Sequence, residues 1–276
     1  MEHIRFSNSS PFSLRRIAFS SLSGLRSSVG KAMSFSFARE KCLVCGRTCF
    51  AMPICRSCAD TAESSLGEDM AFRCAKCGKP LLSEQGLCMN CRESPVLHHT
   101  DTVFPMFTYR LWWKKLLFEW KMHDRRNLSP LFARFFAKGL SILEVDEKNT
   151  VIVPVPPRPG KKREKGWDQM GELSSYLSSV YGYSVLPLLK RHGRGQQKKK
   201  GREERLSSVG TLYGKSDCAG RILSIWARRN KSGNLPENAV IVDDVITTGA
   251  TVENCAAVLK ELGIRKVSVL SLLIVD

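Results

Sequence analysis

The sequence predicts an α/β protein with a mostly parallel, doubly wound sheet, preceded by a small cysteine-rich module. Three observations carry this. First, short β-branched apolar runs at residues 150–155, 239–242 and 267–274 alternate with stretches of helical period, the pattern of buried parallel strands joined by crossover helices. Second, nine of the eleven cysteines fall between residues 42 and 91. Third, the run at 239–242 ends in two adjacent carboxylates, Asp243 and Asp244, and then in a Thr/Gly turn. Open α/β sheets bind their ligands at that end of a strand.

Eight of the nine clustered cysteines form four C-x-x-C pairs: Cys42/Cys45, Cys55/Cys58, Cys74/Cys77 and Cys88/Cys91. Each pair puts two thiolates on one tight turn, and two pairs complete a tetrahedral zinc site. Gly46 and Gly78 follow the first and third pairs, where backbone must bend around a metal. A disulfide framework is the rival, but no secretory signal is visible and only Cys218 and Cys255 lie elsewhere, so zinc is expected. Sequential pairing gives sites at 42–58 and 74–91; the fifteen residues between Cys58 and Cys74 also suit a site built from the two middle pairs. Cys49 reads as a bystander, and His98 and His99 as solvated linker residues. Closed Cys₄ sites leave no position for substrate, so this zinc is expected to be structural in a module of residues 41–93.

From about residue 100 to 276 the pattern is globular. Residues 101–109 alternate as a strand, and 111–122 and 128–143 read as amphipathic helices. The strand at 150–155 leads into a strongly basic loop, 156–169, and a helix over 170–181. A second basic segment, 190–205, holds Arg191, Arg194, Lys198, Lys199, Lys200, Arg202 and Arg205. The turn Thr247-Thr248-Gly249-Ala250-Thr251 opens a helix, and its amides and hydroxyls can face a phosphate. Carboxylates accept from ring hydroxyls, so the acid pair and the turn together suit a phosphorylated sugar. A helix cap alone needs one such residue rather than this ordered set. A nucleotide-hydrolysing reading requires a G-x-x-x-x-G-K-[ST] loop; residues 24–32 are the nearest approach, with five residues between the glycines and Ala32 in the hydroxyl position.

The formal net charge is +17, which favours anionic partners. Apolar residues make up 43%, enough for a core. No apolar run reaches the roughly 20 residues that span a bilayer.

Residues 239–251 resemble the phosphoribosyl-pyrophosphate (PRPP) motif of type I phosphoribosyltransferases. The resemblance implies that Asp243 and Asp244 bind the ribose hydroxyls and serve the reaction, and that Thr247, Thr248, Gly249, Ala250 and Thr251 bind the 5-phosphate. The order of parts resembles the ComF phosphoribosyltransferase-like family: a cysteine module, Val153-Pro154-Val155-Pro156, a basic turn, Gly166-Trp167-Asp168-Gln169, then Gln197 and Arg205, and Val242-Asp243-Asp244-Val245. This implies a type I phosphoribosyltransferase-like fold behind a zinc ribbon and a pyrophosphate met by Arg158, Lys161, Lys162, Arg163, Gln197 and Arg205. It further implies a closing hood at 190–205, and Mg²⁺ arriving with PRPP. It also implies a cytoplasmic protein linked to DNA uptake in natural transformation. The chain would be either a phosphoribosyltransferase or a non-catalytic adaptor that binds single-stranded DNA and other uptake proteins, with Trp112, Trp113 and Trp167 as stacking surfaces unless they are core. The chain departs from the family at Trp167 and Asp168, where Phe-Asn is usual, and at Arg194, Lys200 and Ser208. Residues 1–40, rich in Ser, Arg and Phe with Glu2 and Glu40 as their only acids, fit a transit peptide, a disordered basic tail or a start at Met33. The cytoplasmic resemblance favours the latter two.

Overall fold

A four-stranded sheet organises the chain, its strands lying in the order Thr102–Thr108, Lys266–Ile274, Asn238–Ile246 and Thr150–Pro154, with all three pairings parallel. The computed structural model describes residues 39–50, 52–68, 70–192, 212–230 and 233–275. The strands are β3 (Thr102–Thr108), β4 (Thr150–Pro154), β7 (Asn238–Ile246) and β8 (Lys266–Ile274). Two antiparallel pairs flank them: β1 (Arg39–Lys41) with β2 (Thr48–Phe50), and β5 (Leu189–Arg191) with β6 (Tyr213–Lys215). A parallel bridge from Ile152 to Val185 extends the sheet beyond β4.

The helices are α1 (Arg56–Ser64), α2 (Met89–Glu93), α3 (Leu111–Met122), α4 (Ser129–Ile142), α5 (Lys161–Lys165), α6 (Gln169–Ser179), α7 (Ala219–Arg229) and α8 (Ala250–Glu261). They divide between the sheet's two faces, and strand periodicity decides which residues meet which. Val240 and Val242 join Leu270, Leu272, Phe104 and Met106 against α3, α4 and α6. Their neighbours Ala239 and Ile241 join Val267, Val269 and Val103 against α7 and α8. Successive side chains on a strand point to opposite faces, and both faces here are covered.

The expected α/β architecture is observed, with differences in detail. Residues 101–109 do not alternate in burial: Val103 to Met106 are all buried, because the cysteine module covers this edge. Gly78 (φ +72°) leaves no space for a side chain, since a Cβ there would clash with Pro105 Cδ and meet the Val103 carbonyl at 2.5 Å. Arg73 donates to the Pro105 carbonyl. Edge-strand carbonyls are thereby covered rather than left open. Arg39 and Glu40, read from sequence as tail, lie in β1, and Glu40 pairs with Arg125 at 2.9 Å. Residues 1–38 lie outside the described residues. Part of the basic loop, residues 161–165, is a helical turn between Gly160 and Gly166, and α7 was not anticipated. Among the described residues, no helix is long and apolar enough to cross a membrane.

Candidate ligand site and metal centres

Asp243 and Asp244 lie near the carboxyl end of β7, in the middle of the sheet. Being consecutive, they point to opposite faces. Asp244 faces the α3 side, where Lys121 Nζ stands 2.7 Å from its Oδ1. Asp243 faces the α8 side and is 9% exposed. Burial, reinforced by the charge of Asp244, pushes its carboxyl up to about 8, which favours the protonated form of Asp243 at neutral pH. The Asp243 Oδ1 accepts from the Asp244 amide at 2.8 Å. Arg191 on β5 lies over the Tyr213 ring at 5.5 Å, and its charge acts on Asp243 in the opposing direction.

The basic turn meets this pair because β4 and β7 end side by side, with the Val155 amide donating to the Val242 carbonyl at 3.0 Å. Among the four cations expected there, Lys161 is the one drawn inward. It bonds the Gln169 side chain, lies 3.8 Å from Asp168, and is lowered from the usual lysine range chiefly by burial, against the charges of Asp168 and Asp244. Arg158 is instead engaged with Glu164 at 3.0 Å, both exposed, and Lys162 and Arg163 are exposed. Gln197 and Arg205 lie outside the described residues.

The two departures in the Gly-Trp-Asp-Gln segment have local explanations. Asp168 caps α6 by accepting from the Gly171 amide at 2.7 Å, a role open to either carboxylate or amide. Trp167 is buried and donates to Asp124 at 3.0 Å. Trp113 is buried too, stacked on Phe107 with centroids 3.5 Å apart, and half-buried Trp112 packs on Trp113. Trp113 and Trp167 are therefore core, not stacking surfaces.

Beyond the acids, Gly249 takes φ +84° and starts α8, a conformation that glycine adopts without penalty. Thr247 and Thr248 are exposed, Thr248 Oγ1 accepts weakly from the Ala250 amide at 3.4 Å, and Thr251 is half-buried. The free amides of a helix's first turn and its dipole make such a turn an anion seat.

The eight paired cysteines form two groups: Cys42, Cys45, Cys55 and Cys58, and Cys74, Cys77, Cys88 and Cys91, with the sulfurs of each within 4.8 Å of one another. Pairing is sequential, which removes the middle-pair alternative. Both groups could hold zinc, and the donor set fits it. A Zn–S distance of about 2.3 Å gives tetrahedral edges of about 3.8 Å, against 3.7 Å for Cys45–Cys55 and for Cys77–Cys88. The two sites repeat one backbone design. Cys55 N donates to Cys42 Sγ and Cys88 N to Cys74 Sγ, each at 3.4 Å. Arg47, 3.4 Å from its sulfur, lowers Cys45 to about 6. Burial raises Cys74, but the amides of Cys77, Cys88 and Lys76 outweigh it and leave about 7. Both effects favour the ligating thiolate. Cys49 stands apart, donating to the Met52 carbonyl at 2.9 Å. His99 is not simply solvated: its Nδ1 and amide each lie 2.7 Å from Glu253 Oε1.

Sequence reasoning missed Lys121 and Glu253. Lys121 sits in an amphipathic helix where a lysine carries no signal. Glu253 shows only as an acid in a helix's first turn.

No family model matches the chain. It is 25% identical over 248 residues to the competence protein ComFC of Streptococcus pneumoniae, covering 84% of this chain and 99% of the relative. It is 28% identical over 217 residues to the competence protein ComFC of Bacillus subtilis, covering 76% and 79% respectively. These matches, over most of the chains compared, support this chain's membership of the ComF family.

Proposed function

We propose that the chain binds PRPP at the junction of β7 and α8 and is a phosphoribosyltransferase-like protein acting in competence. The observation that carries the reading is the placement of Asp243 and Asp244 at the carboxyl end of a central parallel strand, followed directly by the Gly249 turn into α8. Protonated Asp243 would donate to one ribose oxygen while Asp244 accepts from a neighbouring hydroxyl. The turn amides and the Thr247 and Thr248 hydroxyls would take the 5-phosphate. Lys121, Lys161 and Arg191 would face the diphosphate and stabilise charge as it departs. Mg²⁺ would enter as the diphosphate's companion, with the substrate. Zinc, held by the two Cys₄ groups, would supply folding energy to a module with little core of its own.

A second reading, a non-catalytic adaptor that binds nucleic acid during DNA uptake, is favoured by the formal charge of +17 and the exposed Lys162 and Arg163. Calorimetry with PRPP and Mg²⁺ separates the two. Wild type is expected to bind PRPP and Asp243→Asn/Asp244→Asn to lose it, while affinity for single-stranded DNA survives in both and falls steeply with salt. A wild type that never binds PRPP overturns the phosphoribosyl reading.

A further inference from the structure

The two metal centres are alike in design but not in what they touch. The first packs with α4: Ala59 and Ala62 share its core, and Arg134 pairs with Asp60 at 2.7 Å and Glu63 at 2.8 Å. The second stands against the β7–α8 turn. A cavity of about 260 Å³ is lined by Cys77, Cys88 and Cys91 together with Thr247, Thr248 and Gly249.

Two contacts close the circuit. Leu97, 3% exposed, packs on Gly249, where an added Cβ would meet its Cδ2 at 3.1 Å. Glu253, in the first turn of α8 and 8% exposed, accepts from the His99 amide at 2.7 Å and from the Thr100 hydroxyl at 3.0 Å. Burial works against that carboxylate, and the His99 and Thr100 bonds outweigh it and keep it ionised. Leu97, His99 and Thr100 follow directly from α2, a helix of five residues, too short to hold its shape alone. Cys88, its cap, and Cys91, within it, belong to the second Cys₄ group, and Glu84 accepts from the Met89 amide at 2.7 Å.

We propose that the second Cys₄ site, and not the first, sets the working shape of the phosphate-holding turn, with Leu97 and Glu253 as the positioning residues. The inference rests on the PRPP reading for its consequence but not for the coupling itself. Metal bound by Cys74, Cys77, Cys88 and Cys91 holds α2; α2 holds the segment through Thr100; that segment holds the start of α8. Loss of metal there frees the turn.

The test compares Cys88→Ser/Cys91→Ser, Cys45→Ser/Cys58→Ser and Leu97→Ala in the full chain, reading zinc content, amide hydrogen exchange and PRPP affinity. Both double variants are expected to lose half the zinc. Exchange over residues 247–253 is expected to speed up by about tenfold or more in Cys88→Ser/Cys91→Ser and to stay at the wild-type rate in Cys45→Ser/Cys58→Ser. PRPP affinity is expected to fall about tenfold with the first of these. Leu97→Ala keeps both metals and all eight ligands, and is expected to show the faster exchange as well; it decides the matter if the cysteine variants do not fold. Equal exchange at the turn in the two double variants, or wild-type exchange in Leu97→Ala, overturns the proposal. If wild type binds no PRPP, the functional reading falls, and the exchange comparison alone still decides the coupling.

Discussion

Replacing Asp243 by Asn keeps the shape of a protonated carboxyl but removes its titration. In the native chain burial and Asp244 hold this carboxyl at about 8, against an ordinary value of 3.8. The folded state therefore binds the proton more tightly than the unfolded state, and the stability this confers is fully present below about pH 4 and lost as pH rises through about 8. At about 1.4 kcal/mol per pH unit the whole interval sets a ceiling of roughly 6 kcal/mol. Most of the practical window lies between pH 6 and 8, where wild type is expected to lose about 2 kcal/mol that Asp243→Asn does not. Urea unfolding of both zinc-loaded chains at several pH values measures this, because contributions common to both, the metal sites included, cancel in the difference. Stability curves that run parallel from pH 6 to 8 would refute the argument that Asp243 is a buried, protonated acid.

Lys121→Met removes the partner 2.7 Å from Asp244 and one of the charges that lower Asp243. The Asp243 transition is expected to move to higher pH, and the half-buried Asp244, left unpaired, to cost about 1–3 kcal/mol by urea unfolding. Gly249→Ala forces a side chain into φ +84° within 3.1 Å of Leu97; a loss of about 1–2 kcal/mol in stability is expected, with weaker PRPP binding by calorimetry. Gly78→Ala meets Pro105 and the Val103 carbonyl below 3 Å, and is expected to cost more than about 2 kcal/mol and to speed exchange along β3 and the second metal module. Chelation of zinc is expected to expose eight thiols to a thiol reagent, while Cys255, fully buried and raised by burial and by Asp243, stays unreactive until the sheet unfolds.

The elements that sequence conveyed best were those with a single cause. The runs at 150–155, 239–242 and 267–274 are buried on both faces, so their apolar character is continuous and needs no knowledge of neighbours. The C-x-x-C pairs convey their sites because each knuckle is local, although which knuckles share a metal is a tertiary fact, settled only when Cys42 meets Cys55 and Cys74 meets Cys88 in space. Residues 101–109 alternate in sequence but not in burial, because Gly78 packs on Pro105 and Arg73 covers its carbonyl from another module. Lys121 was illegible for the same reason: its meaning comes from Asp244, over a hundred residues away. Trp113 and Trp167 were ambiguous until packing against Phe107 and Asp124 placed them. Of the basic residues near the site, Lys161 differs from Arg158 only in that it meets Gln169 and Asp168, whereas Arg158 meets Glu164.

The central claim is that a ribose 5-phosphate sits on the Gly249 turn. Phosphorus-31 resonance during titration of PRPP with the zinc-loaded chain tests it most directly, because the 5-phosphate and the two diphosphate phosphorus atoms report separately. The account predicts that the 5-phosphate signal shifts on binding to wild type and recovers its free position when Gly249→Val is used instead. A 5-phosphate signal unmoved by wild type, or moved equally by Gly249→Val, contradicts it.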